Sequence, residues 1–456
     1  MWLACWPRLA LLFARRGAQG QAATLPAGGG SGGFIYHGII GLAVLIGLAW
    51  FMSEARARVR WRYVMVALLG QFVIALVLLR VPALREGFLA LNGVVQALSD
   101  ATRTGTSFVF GYLGGGAAPF AISDPAASFI LGLQALPLIL VMSALSALLW
   151  HWRVLPWVVH GFAWALRRSL ALGGAAGVAA AANIFAGMVE APLMIRPYLA
   201  RMSRSELFVL MSVGMATVAG TMMVLYAAVL APVIPGALGH ILTASVISLP
   251  AAILIAQIMI PEKTDAALPD ETAQQIEMPR YGSAMDAVTA GTQQGLVLLA
   301  NVIAMLIVLV ALVALINLLL SALPEFAGAP LSLQRVLGWL FAPLVWSIGI
   351  PWEEAASAAA LMGSKTVLNE LIAYIDLVGA GGAELSPHSR LIMVYALCGF
   401  ANFGSLGIMI GGLSGMVPER RGEIAQLGLR SIVAGSFATL MTGAVVGLIA
   451  PAEFAL

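Results

Sequence analysis

Long apolar runs, broken by short polar clusters, dominate the chain from residue 34 onward. A helix that crosses a bilayer needs about 20 predominantly apolar residues. On that criterion spans are predicted at about residues 35–52, 63–79, 129–150, 206–230, 242–260, 295–323, 391–413 and 432–449. Residues 83–112 differ, because Arg85, Glu86, Asp100 and Arg103 interrupt the apolar pattern. That weak amphipathicity predicts a helix lying along the interface rather than through it.

Two further segments are apolar yet carry polar residues in their middles. Residues 173–202 are rich in Gly and Ala, contain Asn183 and Glu190, and are flanked by Arg167, Arg168, Arg201 and Arg204. Residues 331–374 are broken at Pro343, at Gly349-Ile-Pro351 and near Gly363, and carry Lys365, Asn369 and Glu370. Non-helical backbone at membrane depth is tolerated only where protein or a water-filled cavity surrounds it. Both segments therefore read as re-entrant hairpins.

Orientation follows from the arginines. Arg56, Arg58, Arg60 and Arg62 follow the first span, and clustered Lys and Arg mark the cytoplasmic side. Counting onward, the first hairpin opens inside and the second outside, and Arg420 and Arg421 return to the cytoplasm. Each hairpin is followed by two spans, the outline of an inverted repeat. The predicted fold is an all-α polytopic membrane protein: about eight transmembrane helices, two oppositely oriented re-entrant hairpins and an interfacial helix. Its parts are an N-terminal extension (1–33), scaffold spans with the interfacial helix (34–150), a first repeat (151–260) with its hairpin at 173–202, a cytoplasmic loop (261–282), a long scaffold helix (283–330), and a second repeat (331–456) with its hairpin at 331–374. The first 33 residues read as a poorly ordered extension or a signal-like segment; Arg15 and Arg16 follow the apolar run rather than precede it, which favours the extension.

Composition supports the membrane reading. The chain has 456 residues, 61% apolar and 10% charged, with a mean hydropathy of +0.96. Soluble domains carry about 25% charged residues, and a soluble fold would leave too much apolar surface in water. The net charge of +3 gives no reason to expect a nucleic-acid partner. Cys5 and Cys398 lie in unrelated contexts, and the histidines form no ligand cluster, so neither a disulfide nor a resident metal or cofactor is expected.

Four polar constellations carry the candidate chemistry. They are Asn183 to Pro192, Gly214 to Thr221, Gly363 to Tyr374, and Phe400 to Ser405. Asn, Ser and Thr in membrane helices commonly serve helix packing. Glu190 and Glu370 are different, since an intramembrane carboxylate is costly and marks a functional site by default. Glu353 and Glu354 read as interfacial, and Lys365 as either the mate of an acidic group or a snorkelling side chain. An intramembrane enzyme is disfavoured: no His lies in the polar segments to activate Ser405, and no His-Glu-x-x-His motif occurs.

These same residues carry a resemblance. Gly363-x-Lys365-x-x-x-Asn369-Glu370-Leu-Ile-Ala-Tyr374 is similar to the second-hairpin signature of the concentrative nucleoside transporters. The stretch from Asn183 to Met202 resembles that family's first hairpin, and Gly399-Phe-Ala-Asn402-Phe-Gly404-Ser405 its seventh-span motif. The likeness runs in order over about residues 34–450. It implies a homotrimeric symporter of the inner membrane that imports nucleosides by alternating access, driven by Na+ or H+. Carried over by position, Gly187, Met188, Val189 and Glu190 would meet the nucleoside from the first hairpin and Met222 would add an apolar contact. Glu370 would accept hydrogen bonds from the ribose hydroxyls, beside Phe400, Asn402 and Ser405. Asn183, the carbonyl of Ala186, Thr217 and the carbonyl of Val218 would form the cation site. Family members often carry Gln-Thr where this chain has Met188-Val189, which implies a more apolar pocket with purines somewhat favoured. It also leaves open another polar organic solute as the cargo.

Overall fold

The computed structural model describes residues 32–121, 129–170, 174–185, 187–262, 281–324 and 330–450. Nearly all of the expected N-terminal extension, most of the loop at 261–282, and Ala186 lie outside the described residues.

Every regular element among the described residues is helical. The first are α1 (Gly32–Phe51), α2 (Trp61–Arg80) and α3 (Pro82–Phe110). A π-helical turn at Leu131–Ala135 leads into α4 (Leu138–His151). Arg153 then takes a positive φ of 62° and starts α5 (Val154–Leu170) in a new direction. Next come α6 (Gly174–Ala182), α7 (Glu190–Met194), α8 (Arg196–Leu199), α9 (Arg204–Ala216), α10 (Gly220–Leu230) and α11 (Ala237–Met259). The 38-residue α12 (Ala284–Ser321) links this half to the next. The second half holds α13 (Leu333–Ser347), α14 (Trp352–Val367), α15 (Glu370–Val378), α16 (Ala380–Ala383), α17 (Pro387–Leu397), α18 (Phe403–Met416) and α19 (Arg421–Ile449).

Six of these stretches are long and apolar enough to cross a membrane; α1 and the interrupted pair α17–α18 complete the expected eight. The two halves share one plan. A flanking helix (α5 or α13) precedes a helical arm (α6 or α14), a polar tip and a second arm (α7–α8 or α15). A broken span (α9–α10 or α17–α18) and an unbroken one (α11 or α19) follow. Residues 331–374 thus hold three helical pieces rather than two arms: α13, α14 and the start of α15. The polar break there falls at Leu368 and Asn369.

Burial sorts the spans into centre and rim. The most apolar window of α9–α10 is 89% buried and those of α11 and α19 are 83% buried, whereas that of α12 is 6% buried. At 1.5 Å per residue α12 is about 57 Å long, well beyond a hydrocarbon core of about 30 Å, so it tilts or projects. Its N-terminal half packs closely on α4. A Cβ added at Gly291 would lie 2.7 Å from the Ser143 carbonyl oxygen, and one at Gly295 would lie 2.8 Å from the Ser143 Cβ. Glycines four apart let α12 and α4 approach backbone to backbone, which supplies the dispersion contacts that hold helices together in lipid. Gly291→Leu should force the pair apart and cost about 1–3 kcal/mol or more, read as a lowered melting temperature in detergent; an unchanged melting temperature would remove this contact from the account.

Local sequence explains many helix starts. Ser203 and Glu206 form a reciprocal capping box at α9, and the side chains of Ser283, Ser332, Asn369, Ser386 and Asn402 accept from the first turns of α12, α13, α15, α17 and α18. Each satisfies an amide that otherwise has no intrahelical acceptor. On the face predicted to be cytoplasmic, Glu54 after α1 pairs with Arg204 of α9 and Arg430 of α19. Arg420 pairs with Glu423 at 2.7 Å and donates to the carbonyls of Leu199 and Met202. These bonds tie the second arm of the first hairpin to the start of α19.

Candidate functional site

The centre of the molecule is built from interruptions. Span α9–α10 leaves the helix at Thr217, which has extended backbone (φ −111°, ψ 170°), and resumes at Gly220. Span α17–α18 leaves it at Cys398 and resumes at Phe403. The two breaks touch: a Cβ on Gly399, whose φ is +157°, would lie 2.9 Å from the Ala216 carbonyl oxygen and 2.8 Å from Thr439 Cγ2. Only glycine allows that approach.

Glu370 is the first residue of α15 and is 4% exposed. The Tyr226 hydroxyl of α10 donates to its Oε1, and Asn402 Nδ2 donates to its Oε2 at 2.8 Å. Asn402 is itself fixed, because its Oδ1 accepts from the Ser405 amide at 2.7 Å and caps α18. Two half-helices therefore begin at this carboxylate, α15 with Glu370 and α18 just after Asn402, and a helix N-terminus favours negative charge. A carboxylate has about four acceptor positions. The protein fills two of them through Tyr226 and Asn402. Phe400 in the break and Ser405 in the first turn of α18 are each 8% exposed. Met222, 6% exposed, lies one helical turn before Tyr226, on the same face of α10.

The first hairpin tip lies against the other break. The Phe185 carbonyl accepts from the Gly220 amide at 2.9 Å, at the start of α10. Met188 packs on Gly214 of α9, and Val189 wedges against Gly412 of α18; Cβ atoms there would come within 3.0 Å and 2.8 Å of those side chains. The Glu190 carboxylate, at the start of α7, accepts from the Gly187 amide of its own tip. Asn183 is 1% exposed, and among the described residues neither its Oδ1 nor its Nδ2 has a hydrogen-bond partner. Thr217, also 1% exposed, donates to the Val213 carbonyl at 2.9 Å, which leaves its oxygen lone pairs available. The Val218 amide donates to Ser245 Oγ at 3.4 Å, so this amide lies outside the helical ladder.

An unpaired buried amide costs about 1–3 kcal/mol, which singles out Asn183 among the polar residues of this region. Its Oδ1 and the Thr217 hydroxyl are both neutral oxygens. Sequence reasoning missed Tyr226, which reads as packing because it lies in the apolar run of α10. The signal available was an aromatic hydroxyl within a very apolar helix.

The arrangement has known counterparts. Profiles described as Na+ dependent nucleoside transporter C-terminus and N-terminus match residues 240–447 and 40–113, and a nucleoside recognition Gate profile matches residues 132–233. The nucleoside permease NupC of Helicobacter pylori is 34% identical over 416 residues, which make up 90% of this chain and 96% of that protein. The chain belongs to the concentrative nucleoside transporter family. It is a multi-pass membrane transporter, not an enzyme.

Other members of the family match over most of their length or of this chain. The uncharacterised transporter YutK of Bacillus subtilis is 36% identical, covering 91% of this chain and 99% of that protein. Solute carrier family 28 member 3 of Homo sapiens is 32% identical, over 90% of this chain but 59% of that longer protein. Among solved structures, CNTnw in an inward-facing substrate-bound state superposes with a TM-score of 0.81 at 35% identity, covering 91% of this chain and 98% of that one. A variant of CNTnw in an outward-facing state gives 0.80 at 34% identity, with the same coverage. Variants of CNTnw in three intermediate states also match.

Proposed function

We propose that this transporter imports nucleosides across the inner membrane as a Na+-coupled symporter, with a proton as the alternative coupling ion. The observation that carries the reading is Glu370, a buried carboxylate held by Tyr226 and Asn402 at the start of two half-helices. A ribose presents two adjacent hydroxyl donors, and a carboxylate accepts both at the strength of charge-assisted bonds. Phe400, Asn402, Ser405 and Met222 line the same region. Gly187, Met188, Val189 and Glu190 close it from the first hairpin. The Met188-Val189 pair offers no hydrogen bond to a base, so purines, with more apolar contact area, are favoured over pyrimidines. Competition in which uridine clearly outcompetes adenosine would refute that preference.

Asn183, the Ala186 carbonyl, Thr217 and the Val218 carbonyl would hold Na+. The cation would satisfy the orphaned Asn183 Oδ1 and fix the tip of the first hairpin, and this is how it would favour nucleoside binding. Mutual enhancement follows from linkage. If the proton is the coupling ion, Glu190, whose carboxylate closes on its own tip, is the group that carries it. The apolar, exposed α12 is suited to contact between copies in a homotrimer.

The test is thermal unfolding of the purified protein in Na+ or choline, with and without adenosine. The reading expects adenosine to raise the melting temperature more in Na+ than in choline. Equal stabilisation in both salts at every pH would remove cation coupling, and no stabilisation in any salt would point to a different polar solute.

A further inference from the structure

Lys365 makes no hydrogen bond within the site as described; of its two expected roles snorkelling fails, while the buried Glu370 carboxylate acts on its charge through space. The side chain is 0% exposed, so it does not snorkel, and both its bonded partners are neutral oxygens. Its ammonium donates to the Ala396 carbonyl at 3.0 Å and to Thr439 Oγ1 at 3.1 Å. Ala396 is the second-last residue of α17. The last four carbonyls of a helix have no amide of their own helix to bond, and the negative end of the helix dipole lies there. Thr439 lies against Gly399 of the break, and its hydroxyl donates to the Ser436 carbonyl at 3.1 Å.

We infer that Lys365 is a positioning residue: a tethered cation that holds the α17–α18 break in place and thereby sets the geometry of Glu370 and Asn402. The two breaks differ in a telling way. At the first, the buried Oδ1 and Nδ2 of Asn183 are left unpartnered among the described residues. At the second, the oxygens of Ala396 and Thr439 are already met by a charge fixed to the chain. Lys365 lies on the arm that ends just before Asn369 and Glu370, and Ala396 lies on the helix that ends just before Asn402. Tyr374 adds a second stitch between the same parts, donating to the Val394 carbonyl at 2.9 Å. The Glu370–Asn402 bond is thus closed at the front and braced from behind. A charge at this helix end does what an amide cannot, because the chain has turned away.

The test rests on the nucleoside reading above and uses the full-length chain. Adenosine affinity in Na+ is measured per folded molecule for the wild type, Lys365→Ala and Thr439→Val, and for Lys365→Ala with added ethylammonium. Losing charge-assisted bonds should weaken Lys365→Ala by about tenfold or more, and ethylammonium, which fits the vacated volume, should recover part of the loss. Thr439→Val removes one acceptor, keeps the shape, and should weaken binding by about threefold to tenfold. A folded Lys365→Ala with unchanged affinity overturns the inference, as does a loss that ethylammonium leaves untouched. Where Lys365→Ala does not fold, Thr439→Val decides alone, and unchanged affinity overturns the inference. A wild type that binds no adenosine overturns the nucleoside reading and this inference together, which sets it apart from every other outcome.

Discussion

Glu370→Gln should lower nucleoside affinity by about a hundredfold or more while leaving the protein folded. The side chain keeps its size, but one oxygen becomes an NH2 group. The amide then faces either the Asn402 Nδ2 donor or the Tyr226 hydroxyl, both of which now meet an acceptor. It also withdraws acceptor positions that a ribose diol needs. A hydrogen bond to a charged group is worth about 1.5–3 kcal/mol, so the loss of two brings the effect to that size. Stability should fall by less than affinity does, because Gln keeps the size of Glu370 and one of its two protein hydrogen bonds. Isothermal titration with adenosine and a melting curve on the same sample separate the two. Loss of affinity together with collapse of the fold would assign Glu370 to structure, and intact affinity would remove it from the site.

Asn183→Leu has the second largest expected effect, and its sign is unusual. The side chain is 1% exposed with both polar atoms unpartnered. A leucine of similar size relieves that penalty, so the protein without Na+ should become more stable by about 1–3 kcal/mol. The same change removes the proposed cation ligand. Na+ should no longer raise the melting temperature, and nucleoside binding should lose its Na+ dependence. A variant destabilised in choline would mean that Asn183 is already satisfied in the resting protein. A variant that keeps its full Na+ response would place the cation elsewhere.

Much of this was legible in the sequence, for a physical reason. Lipid requires long apolar helices, so the spans stand out as runs, and costly polar residues within them stand out in turn. Glu190, Glu370, Asn183 and Asn402 were visible on that ground, and the breaks around Thr217 and Gly399 were foreshadowed by weak helix formers. What stayed hidden is what tertiary packing decides. Helix α5 was not expected, since the turn that creates it depends on the backbone of Arg153. The arms of the second hairpin could not be separated, because α13, α14 and α15 are all apolar and have no periodicity that distinguishes a flanking helix from a re-entrant one. The partners of Lys365 were out of reach because one of them is a backbone carbonyl, which every residue carries. Tyr226 was missed because its role depends on α10 crossing near α15, a contact no local pattern reports.

The most direct test of the central claim is uptake of radiolabelled adenosine and uridine into proteoliposomes, with Na+ and pH gradients imposed separately. The account predicts accumulation of adenosine above equilibrium under an inward Na+ gradient, lost in Glu370→Gln and uncoupled from Na+ in Asn183→Leu. Accumulation under a pH gradient alone would replace Na+ with H+ as the coupling ion. No accumulation of either nucleoside under either gradient, by folded protein, would contradict the account.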